Sequence, residues 1–118
     1  DFELARAARR VILSTEEVVD EEEIRSNPRL TAIPYYVVDA VCHVPFGAHP
    51  AQMPYQYFFD EEHIAEWLRL SKTEEGTREY MERYVLGVSG HEEYLERVGG
   101  QARMQALQQL EESRLPLM

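Results

Sequence analysis

Residues 35–50 read YYVVDAVCHVPFGAHP, an apolar run with one interior acid, Asp39, passing into a turn rich in proline and glycine. Val37, Val38, Val41 and Val44, with Tyr35 and Tyr36, favour a pleated backbone. Strict alternation is too weak for a strand wetted on one face. The expectation is therefore a strand over 35–44 with both faces covered, as in α/β sheets. Pro45 removes a ladder donor and Gly47 permits a sharp reversal, so the strand stops there.

Upstream, RVILST at 10–15 reads as a second short strand, and residues 2–9 as a helix whose arginines suit its C-terminus. Asp20 and Glu23 form a D-x-x-E capping pattern for a helical turn through Arg25, which Ser26-Asn27-Pro28 ends. Two strands with a helical turn between them fit a parallel crossover better than a hairpin. Downstream, 45–59 is a long loop whose Tyr55, Tyr57, Phe58 and Phe59 are expected to pack onto the body or a partner. Asp60 caps a helix with Ile64, Trp67 and Leu68 on its apolar stripe. A second helix starts near Thr73 and lines up Tyr80, Met81, Tyr84 and Val85. A third runs from about His91 to Val98, with Tyr94, Leu95 and Val98 inward, and Gly99-Gly100 ends it. The last, from Gln101, carries Met104, Leu107 and Leu110 and is expected to become mobile toward Pro116. This divides the chain into a strand-containing part, 1–59, and a helical part, 60–118. Two strands do not make a stable sheet, so further strands are expected from an N-terminal part. A chain that opens at Asp1 inside a helical pattern reads as cut from something longer.

Composition narrows the function classes. The chain of 118 residues carries 22 acids against 12 bases, a net charge of −10, which argues against a nucleic-acid or anionic-membrane partner. Its single cysteine, Cys42, lies in the apolar run and is expected to be an inert core thiol in a reducing, cytoplasmic compartment. No apolar run approaches the roughly 20 residues of a membrane span.

The ordered series STEEVVD, TAIPYYVVDAVCHVPFGAHP and Y-x-Y-x-x-D before a Trp-bearing helix resembles the C-terminal part of the α subunit of family I CoA-transferases. The likeness is strongest to the glutaconate CoA-transferase α branch, in its V-D-A-V…P-x-x-A-H-P strand-to-turn feature. It covers residues 3 to about 98. The fold it implies is α/β: the C-terminal portion of an open, mostly parallel sheet domain with a helical C-terminal segment. The activity it implies is transfer of coenzyme A between carboxylic acids, through a glutamyl-CoA thioester on a β subunit. No catalytic residue of this chain is implied, and the chain alone is expected to be inactive. Its partners would be the β subunit and the N-terminal part of the α subunit, in a hetero-oligomer. No permanently bound cofactor is implied, since the coenzyme A thioester is a substrate. Two other readings stay open: a CoA-dependent ring-opening hydrolase subunit of the same family, and a non-catalytic helical interaction domain.

Phe46, Gly47 and His49 are the candidate substrate-binding residues, because loops on rigid strands commonly carry function. His49 either lines an acyl or CoA cleft or bonds a loop carbonyl and fixes the turn. Glu16 and Glu17 follow a strand end, where the plain reading is capping or a surface position. His43, His49, Asp60 and His63 suggest a metal set, but Leu95 stands where H-E-x-x-H needs its second histidine, and no metal is expected.

Overall fold

Parallel pairing of two four-residue strands organises the first of two compact units, Asp1–Gly47 and Ala48–Met118. The computed structural model describes residues 2–115. The expectation of mobility toward Pro116 lies outside them.

In the first unit, helix α1 (Phe2–Ala7) leads into β1 (Ile12–Thr15), and β2 (Ala40–His43) lies beside it with Ile12 opposite Ala40 and Thr15 opposite His43. The expected crossover is there, built from α2 (Glu21–Ser26) and two 3₁₀ turns, Pro28–Leu30 and Tyr35–Val37. The strand is shorter than the apolar run. After Pro34 the amides of Val37 and Val38 bond back to the Pro34 and Tyr35 carbonyls, so local turns use the groups a ladder would need. Pairing begins where the Asp39 and Ala40 amides reach the Val11 carbonyl. The interior acid explains that start: Asp39 Oδ2 accepts the Val11 N–H at 2.8 Å and clamps the two chains together.

Coverage of both faces is not found among the described residues. All four residues of β2 are exposed, Cys42 included, and Val41 and Tyr35 keep 59% and 88% of their surface. Cys42 is therefore not a core thiol here. A sheet of two strands has little to offer as cover, and α2 is exposed along its whole length. Asp20 precedes α2 without making a side-chain cap, so the D-x-x-E pattern supplies position but no hydrogen bond.

The second unit is helical. Asp60 caps α3 (Glu61–Leu70) and Thr73 caps α4 (Glu74–Met81), each accepting an N–H three residues on. A π turn, Glu82–Leu86, leads to α5 (His91–Arg97) and α6 (Gly100–Arg114). Leu70, Tyr84, Met104 and Leu107 form the core with Tyr57, the one loop aromatic that is fully buried. The 48–59 loop, grouped by sequence with the strands, is compact with these helices: the Phe58 N–H bonds the Leu107 carbonyl at 3.0 Å.

Four apolar positions expected inward are exposed. Leu68 lies off the buried edge of α3, which runs through His63 and Leu70. The wider π turn keeps Tyr84 inside while Met81 and Val85 face out. Leu110 gives its place to Glu111, whose buried carboxylate takes the Gln52 amide at 2.7 Å and the Tyr55 N–H at 2.9 Å. The corner between α3 and α4 closes only around glycine, since a Cβ on Gly76 would sit 2.1 Å from the Leu70 carbonyl oxygen.

Candidate functional site

Parallel strands end together, and in α/β sheets ligands bind beyond those carboxyl ends. In the first unit that place is held by Glu16, which follows β1, and by the turn Pro45-Phe46-Gly47, which follows β2. The Val44 N–H bonds the Thr15 carbonyl at 2.8 Å, and His43 Nε2 donates to the Glu16 carbonyl at 3.1 Å. Phe46 adopts φ 57°, a left-handed conformation that costs a residue with a Cβ about 1–2 kcal/mol. Its N–H donates to Glu16 Oε2 at 2.6 Å, a charge-assisted bond of the kind that offsets such strain. Gly47 sits where a Cβ would come within 2.8 Å of the Val44 oxygen, and its own N–H bonds that oxygen at 2.9 Å. The two turn amides are thus committed. The turn can offer a ligand the half-buried Phe46 ring and the bare Gly47 backbone, not oxyanion-type donors.

His49 lies in the second unit and is the centre of a buried polar chain. Its side chain has no exposed surface. Nε2 stands 2.9 Å from Asp60 Oδ2, and Nδ1 stands 2.6 Å from the Tyr94 hydroxyl. An ionised carboxylate only accepts, so Nε2 is the donor to Asp60, and in that tautomer Nδ1 accepts the Tyr94 O–H. Burial pushes the Tyr94 phenol well above its ordinary value, which suits a neutral donor and not a phenolate nucleophile. The loop carbonyl that one reading from sequence gave His49 as partner is replaced by these two side chains.

Asp60, 1% exposed, is the hub. Oδ1 accepts the His63 N–H at 3.1 Å and Arg103 Nη2 at 2.5 Å, and Oδ2 accepts Arg103 Nε at 3.1 Å. Burial alone would raise its pKa. The bonds from Arg103, His49 and the His63 amide outweigh that and hold the carboxyl well below the usual range. His63 in turn receives the Tyr80 hydroxyl at Nε2, 2.7 Å away, and the Tyr84 ring stacks edge-on at 4.7 Å. Burial, then the nearby His49, pushes the His63 pKa down.

An open cleft of about 510 Å³ borders this network, lined by His63, Glu66, Tyr84, Arg97 and Arg103. Its charges are paired: Glu66 with Arg83 and the Tyr84 hydroxyl, Arg97 with Glu93 and the Arg83 and Gly87 carbonyls, Arg103 with Asp60. Of the residues suspected as a metal set, the fold brings His49, Asp60 and His63 together, but around Arg103. Among the described residues no three His, Cys, Asp or Glu side chains gather as a metal site would need. Sequence reasoning missed Arg103, named Tyr94 only as an inward residue, and weighed the Glu16 carboxylate as a cap or surface group without its partner, the Phe46 amide. Asp60 and His63 were visible, but only as members of a suspected metal set.

No protein-family model matches the chain. The A-type subunit of glutaconate CoA-transferase from Acidaminococcus fermentans is 36% identical over 99 residues, 84% of this chain and 31% of that protein. The A-type subunit of 3-oxoadipate CoA-transferase from Pseudomonas knackmussii is 30% identical over 92 residues, 78% of this chain and 32% of that protein. An uncharacterized protein of Archaeoglobus fulgidus is 55% identical over 114 residues, 97% of this chain and 26% of its own length. The crystal structure of glutaconate coenzyme A-transferase from Acidaminococcus fermentans matches with a TM-score of 0.85 at 35% identity, over 90% of this chain and 33% of that one. The chain thus spans a third or less of these relatives. By sequence and by fold it belongs with the A-type subunits of the CoA-transferases, as a homologue of about a third of such a subunit.

Proposed function

We propose that the chain is the C-terminal part of the α subunit of a CoA-transferase, which moves coenzyme A between two carboxylic acids through a glutamyl-CoA thioester on a β subunit. The observation that carries this reading is the joint match to the A-type subunit of glutaconate CoA-transferase: 36% identity across 84% of the chain, with a TM-score of 0.85 to the solved enzyme. Sheet edges and faces left open in the first unit support a further part of the α subunit completing the sheet, and a β partner in a hetero-oligomer. No described helix is long and apolar enough to cross a membrane. We place the enzyme in the cytoplasm, in keeping with a single cysteine in the chain.

The division of labour follows from the chemistry. A carboxylate nucleophile splits the exchange into successive acyl substitutions, each easier than direct transfer. This chain's carboxylates at the two places described are occupied: Glu16 on the Phe46 amide, Asp60 on Arg103 and His49. Its part is to shape the acyl cleft through Phe46 and Gly47, with His49 holding the loop that follows them. The test is reconstitution of the intact α chain with its β partner and incubation with an acyl-CoA and an isotopically labelled short carboxylic acid. Label should enter the thioester pool. Absence of exchange across a screen of candidate acids refutes the proposal.

A further inference from the structure

We propose that Glu16 is a positioning residue for the Pro45–Gly47 turn, fixing through the Phe46 amide where the Phe46 ring meets the acyl part of the substrate. The proposal rests on the CoA-transferase reading for the substrate, and on geometry alone for the clamp.

Three observations support it. First, register: Thr15 faces His43 across the parallel pair, so Glu16 stands at the level where β2 gives way to the turn. Second, Glu16 is held at both ends of its residue. Its carbonyl takes the His43 ring, and its Oε2 takes the Phe46 N–H at 2.6 Å. A side chain tied by its own backbone to the neighbouring strand transmits that strand's position to whatever it grips. Third, Phe46 needs a grip. Its φ of 57° is a conformation that a phenylalanine does not keep without compensation, and Pro45 before it has no N–H to contribute. A free turn would relax and carry the ring with it.

Such a residue touches no reacting atom, so its signature is a split between kinetic constants. The experiment uses the intact α chain with its β partner and compares wild type with Glu16→Ala and Glu16→Gln. Glu16→Ala should raise KM for the acyl-CoA about tenfold while kcat stays within about threefold. Glu16→Gln keeps an acceptor oxygen at the same reach and should recover most of the loss. Hydrogen exchange is measured in parallel, residue by residue, at the Phe46 and Gly47 amides, Pro45 having none. Protection there should fall in Glu16→Ala and persist in Glu16→Gln. Unchanged protection in Glu16→Ala overturns the clamp. Lost protection with KM unchanged, or with only kcat reduced, overturns the role in substrate positioning. If wild type itself exchanges no thioester, the functional reading and the substrate role fall, and the exchange data alone decide the clamp.

Discussion

Breaking the bond between Asp60 and Arg103 should destabilise the helical unit far more than breaking a surface pair. Asp60→Ala removes the N-cap of α3, worth about 1 kcal/mol, and leaves the Arg103 guanidinium without its buried partner, worth about 3–5 kcal/mol when desolvation is complete. Arg103 keeps 26% of its side-chain surface, so water recovers part of the second term and the lower end applies. A total of about 3–4 kcal/mol is expected. Arg103→Ala strips the guanidinium from a carboxylate that is 1% exposed in the native protein, leaving it to His49 and the His63 amide, and should cost about as much. Completing the cycle with the double variant isolates the pair, and a coupling of about 2–3 kcal/mol is expected at neutral pH. Arg83–Glu79, with 43% and 51% exposure, is the internal control and should couple far more weakly, as solvent-screened surface pairs do. Native-state hydrogen exchange on the amides of α3 and α6 in the intact protein reads each value. The Asp60 contribution is complete above the ordinary carboxylate pKa of about 4 and is lost as pH falls through the depressed folded value. A coupling no larger than the control's would refute the claim that this network holds the unit together.

His63 gives the helical unit a separate pH dependence. Its folded pKa lies below the ordinary 6.5, so the unfolded chain binds the extra proton first. Stability should be full above about pH 6.5 and decline as pH falls below it. His63→Gln should flatten that slope in exchange or denaturant measurements between pH 5 and about 8; an unaltered slope would contradict the assignment. Gly76→Ala sets propensity against geometry: the helix scale predicts a gain of about 1 kcal/mol, whereas a Cβ 2.1 Å from the Leu70 oxygen predicts a net loss of about 2 kcal/mol. A more stable Gly76→Ala protein would show that the corner between α3 and α4 can open at little cost.

What the sequence disclosed, and what it did not, follows the range of the interactions involved. The parallel crossover was legible because its signals are local: two apolar runs, an intervening helical turn and Pro45 as a stop. So were the cap at Asp60, which acts within three residues, and the helix start near Thr73. The length of β2 was not, because Pro34 and the turn amides compete for Val37 and Val38, and composition alone does not show which wins. Covered faces were inferred from apolarity, yet Val41 and Cys42 are exposed. Hydrophobic pattern reports that a surface is apolar, not what in the chain covers it. The buried network was the least visible, since His49, Asp60, Tyr94 and Arg103 come from four separate elements. Arg103, set in a glutamine-rich helix, gives no hint that it serves a carboxylate 43 residues earlier.

The central claim is tested most directly by intact mass spectrometry of both subunits during turnover with an acyl-CoA. Coenzyme A is expected as a thioester on a glutamate of the β partner, with every residue of this chain unmodified. A thioester on Glu16, Asp60 or any other carboxylate of this chain, or no adduct on either polypeptide while exchange proceeds, would contradict it.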